Sequence, residues 1–180
     1  MLVSRDVDPQ SYRDAMSRFA GAVHIVTTDG KAGRRGVTII AGCSVSDEPP
    51  TVLVCLNHQN EKNDAFVKNG CFALNTLSSD EMGLADSFAG FGKQSQEERF
   101  ALAEWTTLQT GAPVLTKAAS VFDCEIEHIH DHATHRVIFG RVKALAIGPS
   151  LDPLMYYDRN YRVLATEEER QRAAGGTRTA

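Results

Sequence analysis

The apolar positions change period several times along the chain, and each change marks an element. Between Asp8 and Gly21 they recur at helical spacing: Tyr12, Ala15, Met16, Phe19 and Ala20 form one stripe. Asp8 is placed to cap this helix, Pro9 suits its first turn, and Gly21 ends it. Two β-rich runs follow within AVHIVTTDGKAGRRGVTIIAGCSVS. They flank a glycine-punctuated turn at Asp29–Gly36, which predicts a hairpin. After the break DEPP, the run TVLVCLN is almost wholly apolar, which predicts a strand buried on both faces.

The segment NEKNDAFVKNG predicts a short helix with Asn60 near its start and Gly70 as its stop, and CFALNTL a further strand. Ser78 and Glu81 form an S-x-x-E capping signature ahead of Met82, Ala85, Phe88 and Ala89, and Ser95 and Glu98 repeat it before ERFA. Beyond Pro113 the pattern returns to β. In ASVFDCEIEHI, Phe122, Cys124 and Ile126 alternate with Asp123, Glu125 and Glu127, so the acids are expected on the solvent face. HRVIFGRVKALAIG predicts a long strand with a bulge or bend at Gly140, and PLMYYDRNYRVL a last strand and turn. The ending ATEEERQRAAGGTRTA is polar, which predicts a frayed tail or a short solvated helix.

Six or seven strands, mostly joined by hairpins, with three or four short helices between them, predict a mainly β fold with peripheral helices. A Greek-key barrel fits better than a doubly wound parallel sheet. The length of 180 residues suits one domain with a sizeable core. A net charge of −4 argues against a nucleic-acid or anionic-membrane binder. No apolar run reaches the ~20 residues of a membrane helix. The N-terminus also lacks the apolar stretch of a secretory signal, so the cytoplasm is the expected compartment. Cys43, Cys55, Cys71 and Cys124 have no C-x-x-C spacing and are expected as buried, reduced thiols.

Several common sites fail on spacing. Gly30, Gly33 and Gly36 form G-x-x-G-x-x-G between two strands, not the dinucleotide fingerprint between a strand and a helix. GFGKQ at Gly90–Gln94 lacks the upstream glycine and the following Ser/Thr of a phosphate loop. No nucleophile-elbow motif is present. On an uninterrupted strand His128, His130 and His132 would share one face, with neighbours about 7 Å apart. A metal could bridge such a set; the alternative is a solvated strand end, and no metal is assigned. His135 differs, because it stands where the chain re-enters an apolar strand and is well placed to touch a ligand at a barrel mouth.

Several strings in this order carry a resemblance: YRDAMSRFAGAVHIVTTDG, GVTIIAGCSVSDEPPTVLVCLN, FVKNGCFALNTLS, FAG followed by EERF, ATHRVIFGRV and YYDRNYR. The chain resembles the short-chain flavin reductases with a flavin-binding split β-barrel, such as the reductase components of two-component flavin monooxygenases. The likeness runs from Tyr12 to about Leu164 and is most specific between Gly36 and Asn57. It implies one split-barrel domain at residues 1–165 with a polar tail at 166–180. It also implies a homodimeric, NAD(P)H-dependent flavin reductase that moves a hydride from NADH or NADPH to FMN, with FAD possible, and supplies reduced flavin to a separate monooxygenase. The alternatives are a flavoprotein that holds FMN tightly and uses another electron acceptor, or a flavin-binding module.

The residues that the resemblance carries over are Gly36, Val37, Thr38, Gly42, Cys43, Ser44, Val45 and Ser46 for the flavin, with Asn57 toward its ribityl phosphate. Asn60 or Lys62 would contact the phosphate where relatives place small residues. Ala133, Thr134 and His135 match a turn near the nicotinamide, and Tyr161 and Arg162 match the aromatic–basic ending. His135 is the expected catalytic-site residue, as a hydrogen-bond donor to the nicotinamide rather than an obligatory base. Ala133 replaces the family's usual glycine, so a turn that needs positive φ there would be strained. Small residues in AGCSVS would let backbone approach a flat ring closely, and Ser44 and Ser46 add hydroxyl donors; otherwise the same string is a barrel strand bending at Gly42.

Overall fold

The computed structural model describes residues 3–150 and 152–164; the expected tail at 166–180 lies outside the described residues. Helix α1 (Pro9–Met16) begins as its signals require, with the Asp8 carboxylate accepting from the N–H groups of Gln10 and Ser11. It stops one turn earlier than its apolar stripe suggests, and Tyr12, Met16 and Phe19 stand exposed. After strand β1 (Gly21–Ala22) come β2 (His24–Thr28), β3 (Arg35–Ile39), β4 (Gly42–Asp47) and β5 (Pro50–Asn57). Helix α2 (Asp64–Asn69) ends on left-handed Gly70 and leads into β6 (Cys71–Thr76). Helices α3 (Met82–Ala89) and α4 (Gln96–Phe100) precede the short strands β7 (Trp105–Thr107) and β8 (Pro113–Leu115). The long hairpin β9 (Ser120–His132) and β10 (His135–Ile147) follows, then β11 (Leu154–Tyr157) and β12 (Asn160–Val163).

Seven strands make the main sheet, in the order β3-β2-β6-β9-β10-β5-β4. Its two edge strands are consecutive in sequence, and the Cys55 N–H donates to the Ala41 carbonyl between them at 2.9 Å. The sheet therefore curls back on itself without closing fully: a split barrel. A gap remains between β3 and β5. Inside the barrel, Val26, Val54, Leu56, Phe66, Phe72, Leu74, Cys124 and Ile138 form one core. A second core lies on the outer face, where Val23, Ile25, Ala73, Leu77, Phe88, Phe100 and Val121 meet α3, α4 and β8. Strands β2 and β6 are thus covered on both sides, each fully buried Val or Leu contributing roughly 1.5–3 kcal/mol.

Several expectations need correction. Strand β5 alternates: Val52, Val54 and Leu56 face the core, whereas Leu53 and Cys55 are half-exposed, because only one face of β5 points into the barrel. Asp123 is not on a solvent face. It is fully buried and accepts from both the backbone N–H and the hydroxyl of Thr110, so a buried carboxylate pins the loop before β8. The Ser78/Glu81 signature caps nothing: Ser78 is buried, and a 3-10 turn at Ser79–Glu81 precedes α3. At α4 the signature is real, with the Ser95 hydroxyl accepting from Glu98 N–H and the Glu98 carboxylate from Ser95 N–H. Cys71 and Cys124 are buried free thiols, but Cys43 is exposed and Cys55 half-buried. Gly140 does sit at a register shift between β9 and β10, as a bulge there requires.

Candidate functional site

A cleft of about 590 Å³ opens in the gap between β3 and β5. β3 contributes Arg35, Val37, Thr38 and Ile39, the link to β4 adds Ile40 and Ala41, and β5 adds Cys55, Leu56 and Asn57. Phe88, Ala89 and Gly90 at the end of α3, Arg99 of α4, the turn that carries Asn60, Lys62 and Asn63, and His135 complete the wall. Arg35 and Ile39 end a five-residue strand and stand about 13 Å apart, so the cleft is graded along its length. It is apolar around Ile39, Ile40, Ala41 and Cys55. It is cationic and amide-rich around Arg35, Lys62, Arg99, Asn60 and Asn63.

Of the residues picked out in the sequence, Val37, Thr38, Asn57, Asn60 and His135 meet in this cleft. β3 is an edge strand with β2 as its only sheet partner, so alternate N–H groups point away from β2. Gly36 N–H does so, donating to the Gln96 side chain at 2.7 Å, and the N–H of Thr38, two residues on, faces the same side. The Thr38 hydroxyl is already engaged by the Ala85 carbonyl at 2.7 Å.

Gly36 itself is buried and does not line the cleft. A Cβ there would run into the Phe88 ring, lying 2.8 Å from its Cδ1 and 3.2 Å from Phe100 Cζ. Its small size therefore serves packing beneath the cleft wall. Gly42, Cys43, Ser44, Val45 and Ser46 form an outer edge strand beyond the cleft lining. Gly42 makes only ordinary contacts where a Cβ would stand. The Ser46 hydroxyl is occupied locally, donating to the Glu48 carbonyl and accepting from the Glu48 N–H. Tyr161 and Arg162 lie on β12, away from the cleft lining. The Tyr161 ring packs on Tyr156, and burial together with a hydrogen bond to Asp86 pushes its phenol up to about 12. Tyr161 packs against the outer core that contains Phe88.

The stretch at 128–132 is strand to its end, and the turn consists of Ala133 and Thr134. Ala133 has φ 50°, the left-handed conformation a glycine would take freely, at a cost of about 1 kcal/mol. His58 clasps this turn: its N–H donates to the Thr134 carbonyl at 3.2 Å and its ring Nε2 lies 2.9 Å from the Ala133 carbonyl. Thr134 does not line the cleft, but its hydroxyl is 2.8 Å from His135 Nδ1 and orients that ring. His135 pairs with Asn57 across β5 and β10, which sets it at the cleft. His128, His130 and His132 are exposed along β9, with the last two rings stacked at 6.3 Å. Among the described residues no group of three or more His, Cys, Asp or Glu is arranged to hold a metal.

Sequence pattern alone does not reveal Arg35, Ile39, Ile40, Ala41, Cys55, Asn63, Phe88 and Arg99 as parts of the site. Arg35 and Arg99 come from segments far apart in the chain, and folding alone joins them. Burial, and then the nearby Cys43 thiol, raise the pKa of Cys55, which disfavours its thiolate.

The fold and the cleft together define a flavin-reductase-type protein, and the chain belongs to the flavin reductase like domain family, matched over residues 16–165. It is 49% identical over 166 residues to FMN reductase (NADH) RutF 2 of Methylorubrum extorquens (strain PA1), covering 91% of this chain and 95% of that protein. FMN reductase (NADH) RutF of Pantoea ananatis (strain LMG 20103) is 45% identical over 158 residues, covering 88% of this chain and 82% of that one. Among solved structures, the flavin reductase PheA2 in its native state superposes with a TM-score of 0.80 at 28% identity, covering 89% of this chain and all of that one. BorF, the flavin reductase component of a bacterial two-component tryptophan halogenase, does so with a TM-score of 0.80 at 26% identity over the same shares.

Proposed function

We propose that this chain is an NADH-dependent FMN reductase in which residues 1–165 form one catalytic domain. The observation that carries this reading is the graded cleft: an apolar, ring-sized wall leads into a cationic end, matching a ligand with a flat tricyclic head and an anionic tail. Its volume lies in the range of small-molecule and cofactor sites. The names of the relatives favour FMN over FAD and NADH over NADPH. Bound flavin would supply the hydride acceptance, so the protein needs no nucleophile of its own.

The work left to the chain is binding and orientation. Ile39, Ile40, Ala41 and Phe88 offer apolar surface to a flat ring and keep water from it. The Thr38 N–H offers a fixed donor at the ring's polar edge, where negative charge develops on reduction. His135, held through Thr134, offers its other ring nitrogen to an incoming nicotinamide. Replacing His135 with alanine is expected to raise KM for NADH about 5–10-fold, the worth of one good hydrogen bond, while KM for FMN stays within about twofold. Steady-state kinetics with each substrate varied in turn checks this, and an unchanged KM for NADH would remove His135 from the nicotinamide site.

Exposed Ile40, Val45, Leu145 and Ile147 support a homodimer that shields them. The likeness to a reductase component of a two-component system supports delivery of reduced flavin to a separate monooxygenase. Among the described residues no helix is long and apolar enough to cross a membrane. The function is tested by mixing the protein with NADH and excess free FMN and following nicotinamide absorbance; FMN-dependent loss of absorbance is expected.

A further inference from the structure

The tip of the β9–β10 hairpin is thinly held. β6 pairs with β9 only from Ser120 to Glu125, so among the described residues the stretch from His128 to His132 has β10 as its one sheet partner. His135 begins β10 at this tip, where a small displacement of the turn would move its ring relative to the cleft. Arg136 ties the arm to α2, with its guanidinium 2.7 Å from Asp131 and 3.0 Å from Asp64. At the turn itself, His58 is the one side chain from outside the hairpin, among the described residues, that hydrogen-bonds to Ala133 or Thr134. It directly follows Asn57, the residue that pairs with His135 across β5 and β10.

The two bonds from His58 do different jobs. Its main-chain N–H donates to the Thr134 carbonyl at 3.2 Å and fixes the peptide that leads into His135. Its ring Nε2 lies 2.9 Å from the Ala133 carbonyl and fixes the peptide before that one. A carbonyl only accepts, so Nε2 carries a proton, as it does in one neutral tautomer and in the cation. This earlier peptide is the strained one. Ala133 has φ 50°, which a residue with a Cβ adopts at a cost, and relaxation of Ala133 would turn its carbonyl. Thr134, on the other side of the same peptide, sets its hydroxyl 2.8 Å from His135 Nδ1. A continuous set of contacts thus runs from the His58 ring, through the Ala133–Thr134 peptide and the Thr134 hydroxyl, to the His135 ring.

We infer that His58 is a positioning residue for nicotinamide binding: its ring sets the direction in which His135 presents its second ring nitrogen. The inference rests on the reading of His135 as the nicotinamide contact and deepens it. Removing the His58 ring leaves the main-chain bond to Thr134 in place, so the hairpin stays paired while its turn gains freedom. His58 does not line the cleft, so flavin binding is indifferent to its ring.

His58→Ala is expected to raise KM for NADH about 3–5-fold, the range of one hydrogen bond, with KM for FMN within about twofold. His58→Gln keeps a side-chain N–H donor and is expected to return KM for NADH to within about twofold of the unaltered protein. In an Ala133→Gly background the turn keeps its φ without strain, so His58→Ala should change KM for NADH by less than about twofold. A merely structural loss would move both KM values and take no account of residue 133. The His135 ring signal in NMR spectra, assigned by its absence from His135→Ala, reports the positioning without any substrate. It should shift or broaden in His58→Ala and return in His58→Gln. An unchanged signal in His58→Ala would overturn the inference. So would a KM for NADH that rises in His135→Ala but not in His58→Ala. A responsive signal with KM for NADH unchanged in both variants would instead remove the nicotinamide reading and support the hold of His58 on His135.

Discussion

Replacing Gly36 with alanine is expected to lower stability by about 2–3 kcal/mol and to weaken FMN binding in the same variant. The added methyl would meet the Phe88 ring head-on and press on Phe100. Those rings cannot step aside, because Phe88, Phe100 and Trp105 pack edge to face with centroids 4.9–5.8 Å apart, and the indole N–H is anchored to the Phe100 carbonyl at 2.9 Å. Phe88 belongs at once to the outer core and to the cleft wall. Relief by moving α3 would also disturb the Thr38–Ala85 bond and carry Ala89 and Gly90 away from the cleft. Urea unfolding and FMN titration of the same sample check both effects. A stable variant with unchanged affinity would mean that the ring cluster does not shape the site.

The second large effect is a response to acid. His24 is buried between β3 and β6, with Nδ1 3.1 Å from the Thr76 hydroxyl, and burial brings its pKa down from 6.5 to about 4. The folded protein therefore resists protonation that the unfolded chain accepts. Stability from this group is complete above pH 6.5 and is lost as pH falls toward 4, by about 3 kcal/mol in all. Asp8, Asp14 and Asp131 have carboxyls held below the ordinary 3.8, chiefly by hydrogen bonds from Ser11, Arg159 and Arg136 respectively, so they act at more acid pH. Glu81, whose carboxyl burial pushes above the ordinary 4.5, acts with the opposite sign inside the window from 6.5 to 4, so only the comparison with a His24 variant isolates the histidine. Chemical unfolding at intervals across this window should show a fall toward acid pH in the unaltered protein that His24→Gln lacks. Identical slopes would place the acid sensitivity elsewhere.

The barrel was legible where one residue decides one feature. Asp8 and Pro9 start a helix, Gly70 stops another, Gly140 marks a bulge, and alternation in SVFDCEIEHI marks a strand. It was less legible where tertiary packing overrides local preference. Asp123 reads as a surface acid until Thr110 folds over it. Ser78 and Glu81 read as a cap until a 3-10 turn intervenes. The three-residue strands β7 and β8 carry too few positions to show a period at all.

The site divides along the same line. Val37, Thr38, Asn57, Asn60 and His135, singled out on the resemblance, line one cleft because β3, β5, β10 and the turn after β5 meet there. Gly36 has a packing reason that sequence does not show, since a glycine needed beside a neighbouring ring and one needed beside a ligand look the same. Arg35 and Arg99 were not legible because only the fold brings β3 and α4 to one cleft. Ala133 takes a left-handed φ in a turn whose two carbonyls are both held by His58.

The most direct test is NADH oxidation by the purified protein with and without free FMN, followed by nicotinamide absorbance under anaerobic conditions. An NADH-dependent FMN reductase should oxidise NADH at a rate that rises with added FMN and yield reduced flavin in equal amount. Tight retention of FMN with no FMN-dependent oxidation of NADH would contradict that function.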